Sequence, residues 1–386
     1  MQRNSSKQTL IEYFSVLLVA TILLVPIFHV EIYLSGPNDS DYFQHTNWAQ
    51  ELLQAPQNVP SYVVAHSAWQ WAVIITHEIV MHSWRAGAFI VTLGSALFTV
   101  GILFWLLRKK LMPLLAGALA IGLTVAAPLA FLYPLDHELY FGYIGIDTYH
   151  NPTILLLKPF AILQLFYSAE ALQGKVADWK SIFVTVLVSA VAAFAKPNYL
   201  ICLLPALGIL ALISIWKKHP IDWKRLLIGI VLPSMAILAW QFFLTYGSDG
   251  GSSIILAPFG VMQGYSSYLP EKFILSIVFP TIVTAIYWKE AIKDTRMQLG
   301  WIGFGLGVIF TYFFAESGVR FHDGNFTWSG EIALFILFVC CILFLSEREL
   351  HLKSRVSRWL ILSSGFLHVI FGYGYYLAIL FTLNFH

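Results

Sequence analysis

Long apolar segments separated by short polar ones dominate this chain. Because a transmembrane helix needs roughly 20 mostly apolar residues, the pattern predicts about eleven spans. The run at 181–216 is too long for one helix, and we divide it at Lys196-Pro197, where proline removes a backbone donor and disfavours helix in the residue before it. The predicted spans lie near 10–34, 86–107, 111–133, 152–171, 181–195, 198–216, 226–246, 273–288, 299–315, 330–346 and 359–381. We expect an all-α, polytopic transmembrane helical bundle that forms a single domain over residues 1–386.

Composition supports an integral membrane protein. Hydrophobic residues make up 58% of the chain, charged residues only 11%, and the mean hydropathy is +0.72. Soluble domains carry about 25% charged residues, because their surface faces water. The net charge of +2 and the absence of a basic patch argue against a nucleic-acid partner. The cysteines lie inside apolar runs and have no metal-binding spacing.

Lysines and arginines predict the orientation. With a cytoplasmic N-terminus, most of the 23 basic residues fall in cytoplasmic segments, as the positive-inside rule requires. The exceptions are Arg85, Lys158, Lys196, Lys272 and Arg320. We therefore expect a bacterial-type cell membrane protein with a cytoplasmic N-terminus and an extracytoplasmic C-terminus.

The outer loops at 35–85, 134–151, 247–272 and 316–329 contain carboxylates, histidines and aromatic residues. Binding and catalytic groups usually lie on loops supported by a rigid scaffold. In the first loop we predict two interfacial helices, at 42–53 with Asp41 as its cap and at roughly 62–84.

Asp39 and Asp41 are separated by one residue just after the first span. Two such carboxylates can chelate a divalent cation such as Mg²⁺ or Mn²⁺, or one can act as a general base. A helix cap in a solvated loop explains the same pattern, so the three interpretations stay open.

Lysines at membrane depth usually face a cavity or a partner, and a lipid phosphate would suit Lys196 at the proline break. Lys158, near Pro159, is a similar candidate. Alternatively, both side chains reach the outer interface along their flexible stems.

The last outer loop contains Arg320, His322 and Asp323. The planar guanidinium suits phosphate, so these residues could form a phosphate clamp. The alternative is a loop in which Asp323 or Glu316 neutralises Arg320.

The second outer loop contains an acidic and histidine-rich cluster at 136–138 and another that includes Asp147 and His150. Metal binding, sugar binding by carboxylates and tyrosines, and ordinary solvation all fit this composition, since no spacing is diagnostic of zinc.

The arrangement of residues 1–216 resembles the GT-C superfamily of polyprenyl-phosphate-sugar-dependent glycosyltransferases. A first span is followed by an acidic motif at 38–42 (NDSDY), two interfacial helices, a span ending in RKK at 108–110, and a later turn at 196–199 (KPNY). The resemblance implies that Asp39 or Asp41 is the catalytic base or helps to bind a metal, and that the donor is a lipid-linked sugar.

The leading hypothesis is therefore a membrane glycosyltransferase that moves a sugar from a polyprenyl-phosphate donor to a glycan, lipid or protein acceptor on the extracytoplasmic side. In it Asp39 or Asp41 is the base, and the donor phosphate is bound by Lys196 and Arg320, with His322, Asp323, His150 and Lys158 as further binding candidates. One alternative is a transporter or flippase, for which the broken helix is the best argument. The other is a noncatalytic subunit of a membrane complex.

Overall fold

The computed structural model describes residues 6–36, 40–147, 149–247, 252–348 and 354–382. It is 78% helical, and its only sheet within these residues has two short strands. The all-α prediction is therefore confirmed.

The first part of the chain forms a long helix, a group of short helices and a second long helix. Ser40 caps the helix Asp41–Gln54, because its hydroxyl accepts the Tyr42 N–H at 3.2 Å. The prediction that Asp41 is the cap was wrong by one residue. The predicted second interfacial helix is broken at His66-Ser67 and again by a π-helical turn. The elements are α1 (Ser6–His29) with its π-helical extension Val30–Leu34, α2 (Asp41–Gln54), a 3₁₀ turn (Pro56–Asn58), α3 (Ser61–Ala65), α4 (Ala68–Thr76), a π turn (His77–Met81) and α5 (Trp84–Arg108).

The central part contains the predicted proline break. Lys196 is extended (φ −168°, ψ 132°) between two helices, and Pro197 caps the second of them, as the sequence predicts. The elements are α6 (Pro113–Val125), α7 (Tyr133–Asp136), α8 (Pro152–Leu172), α9 (Trp179–Ala195) and α10 (Asn198–Trp216).

The last part includes the two strands, which pair antiparallel with Ile254 opposite Glu316. This pairing connects the third predicted outer loop to the fourth. The elements are a π-helical segment (Arg225–Val231) continued by α11 (Leu232–Tyr246), β1 (Ile254–Leu256), α12 (Gly260–Gln263), α13 (Leu269–Ser276), α14 (Val278–Ile286), α15 (Trp288–Ala291), α16 (Thr295–Phe313), β2 (Phe314–Glu316), a 3₁₀ turn (Gly318–Asp323), α17 (Thr327–Ser346) and α18 (Arg355–Thr382).

Seven helical segments in the described ranges are long and apolar enough to cross a membrane, or eight if the pair α13–α14, bent by 57°, is one span. The prediction of about eleven was too high. Helices α6 and α9, with 13 and 17 residues, are shorter than a membrane span. The seven segments are Gln8–Leu34, Trp84–Arg108, Pro152–Leu172, Asn198–Trp216, Arg225–Tyr246, Gly318–Ser346 and Arg355–Phe381.

The apolar run that was predicted as a span at 111–133 stops being helical at Val125. Beyond it the chain is extended, and its backbone groups bind neighbouring helices. The Ala127 N–H donates to the His368 carbonyl at 3.0 Å, and His368 Nδ1 donates to the Ala127 carbonyl at 2.6 Å. Such pairing satisfies the polar groups that an unwound backbone would otherwise leave unpaired in an apolar layer.

Helix α17 is the centre of the bundle. Its apolar stretch is buried inside the bundle, and small residues let α16 approach it closely. A Cβ added to Gly307 would lie 2.7 Å from the Ser329 carbonyl, so only glycine fits there. The first turns of α17 are thereby fixed against the ends of α10 and α16.

The two ends of the bundle differ in chemistry. At one end, ion pairs connect neighbouring helices: Arg108 with Glu12 at 2.8 Å, Arg225 with Glu170 at 2.6 Å, and Arg296 with Glu347. At the other end lies a cavity.

Candidate functional site

A cavity of about 490 Å³ opens at the end of the bundle where the predicted outer loops meet. It is lined from the start of α2, the loop before α8, the break between α9 and α10, α12, and the segment from β2 to α17. Of the predicted site residues, Asp41, His150, Lys196, Arg320 and Asp323 line it. Asp39 lies outside the described residues.

Asp41 begins α2 and directs its carboxylate to the loop before α8. Its Oδ2 accepts a hydrogen bond from Asn151 Nδ2 at 2.8 Å, across 110 positions of sequence. Because Ser40 supplies the helix cap, the Asp41 carboxylate is available to the cavity.

Asn151 also binds Lys196. Its Oδ1 accepts from Lys196 Nζ at 3.3 Å and from the Ile154 N–H at 3.0 Å, which caps α8. One carboxamide therefore bridges the acid and the lysine. Since this amide also caps a helix, its orientation is fixed by the scaffold.

Lys196 is 6% exposed, and its ammonium lies 4.4 Å from the centre of the Trp328 ring. No carboxylate of the described residues is within ion-pair distance of it. Burial lowers the pKa of Lys196 to about 8, against the opposing negative charges of Asp41 and Glu331. A cation held by a neutral amide and an aromatic ring is suited to accept an anionic ligand.

Arg320 differs from Lys196, because carboxylates already surround it. Its Nη1 lies 2.9 Å from Glu316 Oε1 and its Nε lies 3.6 Å from Asp323 Oδ2. The guanidinium also lies 4.1 Å from the ring centre of Tyr62. This arrangement matches the ion-paired loop alternative and connects the first and last predicted outer loops across the cavity.

Two of the predicted residues lie away from the cavity lining. His322 is exposed, and its carbonyl accepts from the Tyr265 hydroxyl at 3.2 Å. Lys158 is 3% exposed and donates to the carbonyls of Ile146 and Asp147 at 2.7 and 3.1 Å. The contacts of Lys158 stabilise the loop that leads to His150 and Asn151.

Glu331 was not predicted as a site residue, whereas Tyr140 is one of the tyrosines in the second predicted outer loop that could bind a sugar. Glu331 lies on the second turn of α17, is 5% exposed and lines the cavity; the Tyr140 hydroxyl donates to its Oε2 at 2.7 Å. The signal was present, since a carboxylate inside a predicted span at 330–346 is costly and marks a functional position.

His45 was also missed as a site residue. It lies one turn after Asp41 on α2, and Gln70 Nε2 donates to its Nδ1 at 2.8 Å. Burial lowers the pKa of His45 to about 3, although the nearby Asp41 opposes this shift. The imidazole is therefore neutral at physiological pH, with its proton on Nε2.

No group of three or more His, Cys, Asp or Glu side chains in the described ranges is arranged to bind a metal ion. The carboxylate of Asp136, one of the metal-binding alternatives, forms an ion pair with Lys272 at 2.6 Å. A Mg²⁺ or Mn²⁺ site at Asp41 would need Asp39 as a further ligand.

Comparison with known proteins gives no match for this chain to a family model, to a curated protein or to a solved structure. The function of the protein is therefore inferred from the chemistry of the cavity.

Proposed function

We propose that this protein is a membrane glycosyltransferase that transfers a sugar from a polyprenyl-phosphate donor to an acceptor hydroxyl of a glycan, lipid or protein. The single observation that carries the proposal is the bridge by Asn151, which keeps the Asp41 carboxylate and the Lys196 ammonium in one cavity. Such a transfer needs both groups: one accepts a proton and the other stabilises a departing phosphate. The resemblance of residues 1–216 to the GT-C superfamily points to the same reaction class.

In the proposed reaction, Asp41 removes the proton from the acceptor hydroxyl as its oxygen attacks the anomeric carbon of the sugar. A new glycosidic bond forms, and the bond between that carbon and the phosphate oxygen breaks. The electron pair leaves with the polyprenyl phosphate, whose growing negative charge the Lys196 ammonium stabilises. No step requires an oxidant or a nucleotide.

The size and lining of the cavity suit a sugar phosphate. Small-molecule sites typically occupy about 300–1,000 Å³ and combine apolar walls with a few oriented polar groups. Here the aromatic side chains of Trp48, Tyr62, Tyr140 and Trp328 line the cavity together with the polar groups. Because the cavity lies at one end of apolar helices, a donor with its tail in the membrane could present its head group there.

The proposed orientation of the protein in the membrane follows from the distribution of its basic residues. The ion-paired end of the bundle carries Arg108, Arg225 and Arg296, which the positive-inside rule assigns to the cytoplasm. We therefore propose that the cavity faces the extracytoplasmic side of a bacterial-type cell membrane.

The test is sugar transfer by the purified protein in liposomes, with a panel of polyprenyl-phosphate sugars and with Asp41→Asn beside the wild type. The expected result is covalent transfer that falls at least a hundredfold in Asp41→Asn. The matched control is Glu51→Gln, on the same helix but outside the cavity lining, and we expect it to retain transfer.

Two results would overturn the proposal. Full transfer by a folded Asp41→Asn variant would remove the base. Movement of a lipid-linked sugar across the vesicle wall without any covalent product would favour the transporter alternative instead.

A further inference from the structure

Glu331 and Tyr140 form a polar pair inside the cavity that the proposed proton and phosphate chemistry does not use. They are 191 positions apart, and the Tyr140 hydroxyl donates to Glu331 Oε2 at 2.7 Å. Both side chains are more than nine-tenths buried. No other hydrogen bond to this carboxyl group is formed by the described residues, so its second oxygen is free to bind a ligand.

The pair shares the cavity with Lys196 and the proposed base. Lys196 is close enough to both Asp41 and Glu331 to interact with each electrostatically. Trp328, whose ring contacts the Lys196 ammonium, lies on α17 one turn before Glu331. A phosphate bound at Lys196 would therefore lie within reach of both Asp41 and Glu331.

Aromatic rings surround the Glu331 side of the cavity. The Tyr140 ring packs edge-on against His150, with ring centres 4.6 Å apart, and His150 lies 5.5 Å from the Trp328 ring. Sugar rings present hydroxyl groups at their edges and C–H groups on their faces. A buried carboxyl oxygen beside aromatic rings matches both features.

We propose that Glu331, positioned by Tyr140, binds a ring hydroxyl of the donor sugar and selects which sugar the cavity accepts. The ligand class is a prenyl-phosphate hexose whose ring hydroxyl reaches the free carboxyl oxygen of Glu331. This inference rests on the proposed function, since it takes the phosphate to lie at Lys196. Tyr140 is a positioning residue, because its hydroxyl orients the carboxyl group.

A buried carboxyl group discriminates strongly between ligands that can and cannot form a hydrogen bond with it. A site built to bind a hydroxyl rejects a ligand without it, because the buried polar group is then left unpaired. Removal of the matching hydroxyl from the sugar should therefore weaken binding to the wild type. It should have little effect once Glu331 no longer provides the acceptor.

The experiment is a calorimetric binding study in detergent with short-chain donors. The probes are a prenyl phosphate without sugar, its glucose, mannose and galactose conjugates, and the 2-, 3-, 4- and 6-deoxy analogues of the best-bound conjugate. The proteins are wild type, Glu331→Leu, Tyr140→Phe and Glu138→Gln. Glu138 lies in the same loop as Tyr140 but outside the cavity lining, so its variant is the matched control.

The expected result is that one deoxy analogue binds the wild type and Glu138→Gln about tenfold or more weakly than the parent sugar. That penalty should largely disappear in Glu331→Leu, which has no acceptor, and shrink in Tyr140→Phe, while binding of the sugar-free prenyl phosphate stays the same. A merely structural role for Glu331 would instead weaken all ligands together.

The inference is overturned if the deoxy penalty is the same in Glu331→Leu as in wild type, or if no deoxy analogue binds the wild type more weakly than the parent sugar. Binding is measured apart from catalysis, so the two proposals can fail separately. A sugar-selective binder that transfers nothing would contradict only the glycosyltransferase proposal. Transfer with an unchanged deoxy penalty would contradict only the subsite.

Discussion

The ammonium of Lys272 lies 2.6 Å from Asp136 Oδ2, and the Lys272 side chain has no exposed surface. Lys272 also donates to the Phe141 carbonyl at 2.8 Å, and the Ser266 hydroxyl donates to Asp136 at 2.9 Å. Burial acts to raise the pKa of Asp136, but these hydrogen bonds and the Lys272 charge outweigh it and lower the pKa. The pair thus connects the second predicted outer loop to α13.

We expect Lys272→Met to reduce the free energy of unfolding by about 3–5 kcal/mol, because it leaves Asp136 without its partner in a mostly buried site. The double variant Lys272→Met/Asp136→Leu should recover much of this loss, since no unpaired charge remains. Denaturant unfolding of the detergent-solubilised protein measures both. Equal losses in the single and double variants would show that packing, and not the charge pair, stabilises the loop.

The sequence predicts some features of this fold well because their cause is local. Pro197 cannot continue a helix and disfavours one at Lys196, so the break between α9 and α10 was predictable from two adjacent residues. The acidic start of α2 was predictable too, although the cap is Ser40 and not Asp41.

Other features depend on contacts between distant residues, which a single sequence does not reveal. The run at 111–133 is apolar throughout, yet its helix ends at Val125 where the chain pairs with His368. Lys158 and Lys196 have similar surroundings in sequence, but only Lys196 lines the cavity. Tyr140 could not have been paired with Glu331 without the fold.

The Asn151 bridge gives a prediction about catalysis. Asn151→Ser keeps a hydroxyl that can cap α8 but is too short to contact Asp41 and Lys196 together. We expect the transfer rate to fall about a hundredfold, because catalytic groups misplaced by about 1 Å lose that much, with a small change in melting temperature.

Thr153→Val is the matched control for Asn151→Ser. It removes the 2.8 Å hydrogen bond from Thr153 to the same Asn151 oxygen but leaves the bonds to Asp41 and Lys196. Its transfer rate should fall far less. Steady-state kinetics measure the transfer rates of both variants. Equal rates in wild type and Asn151→Ser would contradict the bridging role.

The orientation of the bundle is tested by cysteine labelling. Val319 and Val176 are 95% and 89% exposed, on the cavity end and the ion-paired end respectively, and the three native cysteines are buried. An impermeant maleimide should label Val319→Cys on intact cells, but Val176→Cys only after the membrane is permeabilised. The reverse pattern would mean that the cavity faces the cytoplasm, against the positive-inside rule.

The pH dependence of donor binding tests the role of Lys196. Burial lowers the pKa of Lys196 to about 8 in the free protein, and only the protonated form attracts phosphate. Affinity for a prenyl-phosphate hexose should therefore fall as the pH rises through about 8. The donor is a phosphodiester whose charge is constant over that range, so the ligand does not cause the change.

Lys196→Arg distinguishes a charge requirement from a loss of structure at high pH. Arginine keeps its charge far above pH 8, so this variant should bind the donor with nearly constant affinity between pH 7 and 10. Lys196→Met should bind weakly at every pH in that range. Calorimetric titrations of the three proteins supply the comparison. A flat profile in the wild type together with full affinity in Lys196→Met would exclude the Lys196 ammonium as the phosphate contact, because neither its charge nor its presence would then affect binding.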